Sequence, residues 1–159
     1  MTQTEFYGYE REDGTVGVRN HVAIISVDAL ANRTVEAISR LIRNTIPITH
    51  PYGRLQFGDD LKLTFDTLIG TGRNPNVAAA LVVGLEPVWT QIVVDGISKS
   101  KKPVDSVTIV HQGDHKALEK GARIAQKMVS EVSEYRKEPF PLSDLLVSIK
   151  CGASDTTSG

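Results

Sequence analysis

The chain has 159 residues, enough for one domain with a substantial core, and its 40% apolar and 23% charged content is that of a soluble globular protein. A formal net charge of −1 argues against a general nucleic-acid binder, and no apolar run approaches the roughly 18 residues that span a membrane. The polar start MTQTEFYGYERED lacks the apolar centre of a signal peptide, and the single cysteine excludes an internal disulfide. A cytoplasmic location with Cys151 reduced is expected.

Residues 1–20 are polar and carry turn signals at Asp13-Gly14 and Gly17, which fits a hairpin or a strap over the core. Arg11 and Arg19 within it are either anion contacts or solvated surface arginines. The continuous apolar run HVAIISV (21–27) suits a strand buried on both faces. Asp28 can cap the helix that follows, where Leu30, Val35, Ile38, Leu41 and Ile42 recur at helical spacing. A short apolar piece at 46–48 leads to His50-Pro51-Tyr52-Gly53-Arg54. Residues 59–69 read as a helix with Leu61, Phe65, Leu68 and Ile69 on one face, and 70–76 (GTGRNPN) as a turn-rich loop. VAAALVVGL (77–85) is the second strong buried strand, and Pro87 suits the first turn of the next helix, which places Trp89, Ile92, Val93 and Ile97 on one side. A strand over 104–110, a long helix over 114–135 with a core stripe from Leu118 to Tyr135, and a last strand over 145–149 complete the pattern.

Strand and helix thus alternate about four times, the signature of an α/β domain, a Rossmann-like three-layer sandwich with a mostly parallel sheet. Ligands of such sheets bind beyond the carboxyl ends of the strands. Polar runs fall at those ends: 26–28, 50–54, 86–87, 111–115 and 150–155. His50 is a metal ligand, an acid/base group or a structural histidine. Glu86 is a ligand or a charge favoured at a helix N-terminus. His111 and His115 have ligand spacing, but Gly113 interrupts a helix between them. Cys151 and Asp155, in the closing run KCGASDTTSG (150–159), could hold iron or another divalent metal, against the alternative of an inert buried cysteine. That run also offers hydroxyls and bare backbone N–H groups to a small anion. A dinucleotide fold is disfavoured, because the first turn, Ser26 to Ala29, has no glycine and the GTG at 70–72 follows a helix.

Four runs together, GYEREDGTVGVRN (8–20), HPYGRLQFG (50–58), NPNVAAALVVGLE (74–86) and KCGASDTTSG (150–159), resemble the large-subunit region of the altronate/galactarate dehydratase family. The resemblance runs through almost the whole chain in the same order. It implies a lyase, generally iron-dependent, that removes a β-leaving group from a small 2-hydroxy acid and yields a 2-oxo acid. It also implies that residues 1–159 are one α/β domain, the N-terminal part of a longer large subunit, with a small substrate-gating domain carried on a separate small subunit. Homo-oligomerisation is left open, as is an inert binding or assembly role for the isolated chain.

Family members working on sugar acids have cysteine where this chain has Arg54, and a Gly-Cys-Glu run where it has Glu86-Pro87-Val88. The variant runs are similar to the family's sulfo-lyase branch, which releases sulfite from 3-sulfolactate and leaves pyruvate. A sulfonate is a permanent anion, and the planar guanidinium of Arg54 suits it. The resemblance therefore implies His50 and Lys150 as catalytic groups, Arg19, Arg54, Ser154 and Thr156 as substrate contacts, and Cys151, Asp155 and Glu86 as ligands of a divalent metal, Fe2+. Altronate or galactarate dehydration is the alternative activity.

Overall fold

A computed structural model of the protein describes residues 4–150, 152–153 and 155–157. Its strands are β1 (Glu5–Glu10), β2 (Val16–Gly17), β3 (His21–Ser26), β4 (Thr45–Ile48), β5 (Val77–Gly84), β6 (Val104–Thr108) and β7 (Glu138–Pro141). Its α-helices are α1 (Asn32–Leu41), α2 (Gly58–Arg73), α3 (Pro87–Ser98) and α4 (Gly113–Ser133). The central sheet has the order β4-β3-β5-β6 and every pairing in it is parallel. This is the expected three-layer α/β sandwich.

The two apolar runs supply its middle. All eight residues of β5 are buried, as are five of the six in β3. Successive side chains of a strand point to opposite faces. Val22 and Ile24 accordingly pack with Val35, Ile38, Ala117, Ala125 and Met128 of α1 and α4. Ala23 and Ile25 pack with Phe65, Leu68, Val93 and Ile97 of α2 and α3. The short apolar piece at 46–48 becomes β4, at the sheet edge, where Pro47 removes no ladder bond that the core needs.

The expected loop at 70–76 is corrected in part: Gly70, Thr71 and Gly72 belong to the last turn of α2. A Cβ on Gly72 would lie 2.4 Å from Ile97 Cδ1, and one on Gly96 would lie 2.3 Å from Ile69 Cδ1. The two glycines let α2 and α3 approach, so here glycine serves helix packing rather than a turn.

The hairpin expected in residues 1–20 is present as β1 and β2, and β7 joins it in a small antiparallel sheet of order β2-β1-β7. Arg11 anchors this strap. Its buried guanidinium donates to Pro75 O (2.8 Å), Asn20 Oδ1 (2.9 Å) and Arg19 O (2.8 Å), which makes it an internal tie rather than an anion contact.

The strand expected over 145–149 is absent. Those residues have no ladder partner among the described residues, and Leu146, Val147 and Ile149 are 81%, 69% and 94% exposed. Apolar content alone does not make a strand; it needs a neighbour for its N–H and C=O groups. No helix among the described residues is long and apolar enough to cross a membrane.

Candidate functional site

The order β4-β3-β5-β6 reverses direction between β3 and β5: from β3 the chain crosses to one side, then returns to continue on the other. At such a switch point the loops leaving adjacent strands part and open a crevice beyond their carboxyl ends. Asp28 and Glu86 each lie two residues beyond the end of their strand, β3 and β5 respectively. The 50–57 loop, which leaves the β4 side, brings Arg54 to both of them.

Each carboxylate is set by the helical turn it begins. Asp28 is fully buried and accepts from Leu30 N (3.0 Å) at the start of the short 3-10 turn Ala29–Ala31. Glu86 accepts from Val88 N (2.7 Å) and Trp89 N (2.9 Å) at the first turn of α3. Burial works against ionisation of Glu86, but the N–H groups of Trp89 and Val88 and the Arg54 guanidinium outweigh it, and the carboxyl titrates below its ordinary range. The helix-terminal role is thus present, and both carboxylate oxygens are engaged.

Arg54 Nη2 lies 3.2 Å from Glu86 Oε1 and Nη1 lies 3.5 Å from Asp28 Oδ2. The guanidinium stacks over the Trp89 ring, 4.1 Å from its centroid. Trp89 is in turn held edge-on by Phe65 of α2, with ring centroids 5.4 Å apart. Two ion pairs and one aromatic face therefore fix a cation, with its remaining donors available to an anion. Trp89 reads from sequence as a core-facing helix residue. Its second role as a platform is signalled only by its place in the turn capped by Glu86.

His50 lies on the same rim. Its Nε2 is 3.1 Å from Ser26 O. A carbonyl only accepts, so Nε2 carries a proton there, which leaves Nδ1 as the nitrogen with the lone pair in that tautomer. Nδ1 is buried and has no hydrogen-bond partner among the described residues, as is true of Gln56 Oε1 and Asn32 Oδ1. Backbone contacts hold this loop in place: Asn32 Nδ2 donates to His50 O (2.8 Å) and Ala29 N donates to Tyr52 O (2.8 Å). His50, Tyr52, Leu55, Gln56 and Leu63 line an adjoining cleft of about 620 Å³. An unpartnered, buried imidazole lone pair is chemically able to accept a proton.

The other expected site residues are placed elsewhere. Arg19 precedes β3, is exposed, and donates its backbone N–H to Asn76 Oδ1 (2.9 Å), just before β5. It therefore sits at the amino edge of the sheet; a six-residue strand, about 20 Å long, separates that edge from Arg54. Lys150 is exposed on the segment that forms no strand, and its Nζ donates to Gly152 O (3.1 Å). Asp155 accepts from Thr157 N (2.8 Å) and Thr157 Oγ1 (2.6 Å) in an exposed turn that includes Thr156. Cys151 and Ser154 lie outside the described residues. His111 and His115 are both exposed.

Among the described residues, no three histidine, cysteine, aspartate or glutamate side chains come together to hold a metal. Glu86 and Asp28 spend their oxygens on helix N–H groups and on Arg54. Among the described residues, the donor set on the rim does not fit a divalent ion while Arg54 stands between Asp28 and Glu86.

A family model described as D-galactarate dehydratase/altronate hydrolase, second domain, matches residues 8–133. The chain is 53% identical over 154 residues to the (2R)-sulfolactate sulfo-lyase subunit beta of Chromohalobacter salexigens, covering 97% of this chain and 40% of that one. It is 29% identical over 170 residues to the altronate dehydratase of Bacillus subtilis, covering 97% of this chain and 33% of the relative. The galactarate dehydratase (L-threo-forming) of Escherichia coli is 26% identical over 177 residues, with 97% and 34% covered. The chain thus spans two-fifths or less of the length of these relatives.

Proposed function

This chain belongs to the D-galactarate dehydratase/altronate hydrolase family, and we propose that it is part of a lyase that eliminates sulfite from (2R)-3-sulfolactate. The observation that carries this is the clamped guanidinium of Arg54, 3.2 Å from Glu86 and 4.1 Å from the Trp89 ring centroid at the switch-point crevice. A planar donor with fixed orientation suits a sulfonate, which is anionic at every physiological pH. The 53% identical relative, named a sulfolactate sulfo-lyase subunit, supports the same substrate.

In the proposed step His50 Nδ1 accepts the proton on the carbon that bears the hydroxyl. The C–H electron pair becomes the new C=C bond, and the C–S bond breaks with its pair leaving on sulfur as sulfite. The enol left behind takes a proton on its terminal carbon, gives up its hydroxyl proton and becomes pyruvate. Arg54 holds the sulfonate through the developing charge on its oxygens. The substrate is a small 2-hydroxy acid, and the partners are a separate small subunit and further polypeptide of the large subunit. Exposed Tyr52, Leu55 and Leu63, which line the cleft, suit such a cover.

The test is sulfite release from 3-sulfolactate by the full-length protein with its small subunit, run anaerobically with ferrous iron, with altronate and galactarate in parallel. Equimolar sulfite and pyruvate is the expected result. A 2-oxo acid from either sugar acid, with no sulfite, would assign the dehydratase activity instead.

A further inference from the structure

We propose that Asp28 and Glu86 form a cation-binding pair whose resident cation is the Arg54 guanidinium, so that a divalent metal and Arg54 exclude one another at the switch point. The two carboxylates leave adjacent parallel strands, each two residues past the end of its own strand, β3 or β5. Both lie within 3.5 Å of one guanidinium. Two carboxylates sharing one site repel one another unless a cation lies between them. Both also accept backbone N–H groups at a helical turn.

The cation found there is covalently attached. Arg54 reaches Glu86 at 3.2 Å and Asp28 at 3.5 Å, and it is covered by the face of Trp89. That aromatic face is independent of the carboxylates and also attracts a cation. Asp28 is fully buried, so Arg54 rather than bulk water faces its Oδ2. The cluster reads two negative charges, one positive charge and one π face, a set that accepts a single cation and is already filled. This account stands on the geometry alone, whatever the substrate proves to be.

Terbium(III) is a suitable probe, because a tryptophan beside the ion sensitises its luminescence. In the full-length protein, Arg54→Ala should show saturable terbium emission on tryptophan excitation, with a half-saturating concentration lower than that of the unaltered protein by about tenfold or more. Arg54→Lys should behave as the unaltered protein, since an ammonium still fills the position. The Arg54→Ala signal should be lost in combination with Glu86→Gln or with Trp89→Phe. If Arg54→Ala does not fold, Arg54→Met removes the charge while keeping an apolar stem over Trp89, and the same gain is expected from it. Equal titrations of the unaltered protein and the uncharged variants would overturn the proposal. So would a gained signal that survives Glu86→Gln, or loss of purified metal from the unaltered protein's counterpart carrying Glu86→Gln alone.

Discussion

Replacing Arg11 with alanine tests how the strap is held. The guanidinium makes three hydrogen bonds of 2.8–2.9 Å, two of them to backbone carbonyls from opposite sides of the strap junction, Arg19 O and Pro75 O. Hydrogen bonds from a charged donor contribute about 1.5–3 kcal/mol each before desolvation is counted. Desolvation here is appreciable, since burial lowers the Arg11 pKa, with opposing help from Tyr135, Tyr9 and Asp13. Water admitted by the shortened side chain recovers part of the loss, which leaves a net cost of about 3 kcal/mol for Arg11→Ala. Arg11→Lys keeps the charge but cannot meet three acceptors in one plane, and should cost about half as much. The assay is amide hydrogen exchange in β1, β2 and β7, which reports local opening directly. A loss of 3 kcal/mol corresponds to exchange about two orders of magnitude faster in those strands, with β3 and β5 unchanged. Exchange in β1 within about fivefold of the unaltered protein would refute the role given to Arg11.

Three further outcomes follow from particular contacts. Gly17→Ala places a Cβ 2.1 Å from Pro75 O, a backbone atom that also accepts from Arg11, so it should cost about 2–3 kcal/mol and combine less than additively with Arg11→Ala in a double-mutant cycle by exchange or thermal unfolding. Buried Lys102, held by Asn74 O and Val77 O, has its pKa lowered to about 8 by desolvation and then by Arg11. Between about pH 8 and 10.4 the unfolded chain binds more protons there than the folded one, so stability relative to Lys102→Met should rise with pH, by at most about 3 kcal/mol, in unfolding titrations at several pH values. Glu86→Gln weakens the start of α3 and one of the Arg54 ion pairs, and should cost about 1 kcal/mol near neutrality. Because the folded pKa of Glu86 is lowered, that difference is present above its unfolded value near 4.3 and should vanish as pH falls through the folded value.

The central sheet is legible in the chain because β3 and β5 are apolar without interruption and each is followed by a polar residue that starts a helix. The carboxyl-end rim follows from that alternation, and with it the placing of His50, Arg54 and Glu86 along that rim. What the residues do not announce is commitment. Glu86 reads as a ligand or, more simply, as a helix-terminal charge until the N–H groups of Val88 and Trp89 are seen to take both of its oxygens. Trp89 reads as core because its stacking partner comes from 35 positions earlier. The run 145–149 has the composition of a strand but no neighbour to pair with, and pairing is a property of the fold rather than of the segment. Arg19 lies in a polar run like the rim residues, yet it precedes a strand instead of following one, which sends it to the other edge.

The junction of β1 with β7 sets a schedule for synthesis. Glu5 pairs with Pro141 and Phe6 with Phe140. At about 5–20 residues per second, the ribosome takes roughly 7–27 s to supply the second strand after the first. For that interval β1 has only the two-residue β2 beside it, and an isolated hairpin is marginal at best. The parallel core can assemble from β3 onward in the meantime, because each of its strands is joined to the next one in the chain through a single α-helix. The strap is therefore the last part to close, and Arg11 has its acceptors on Pro75 and Asn20 waiting before β7 arrives.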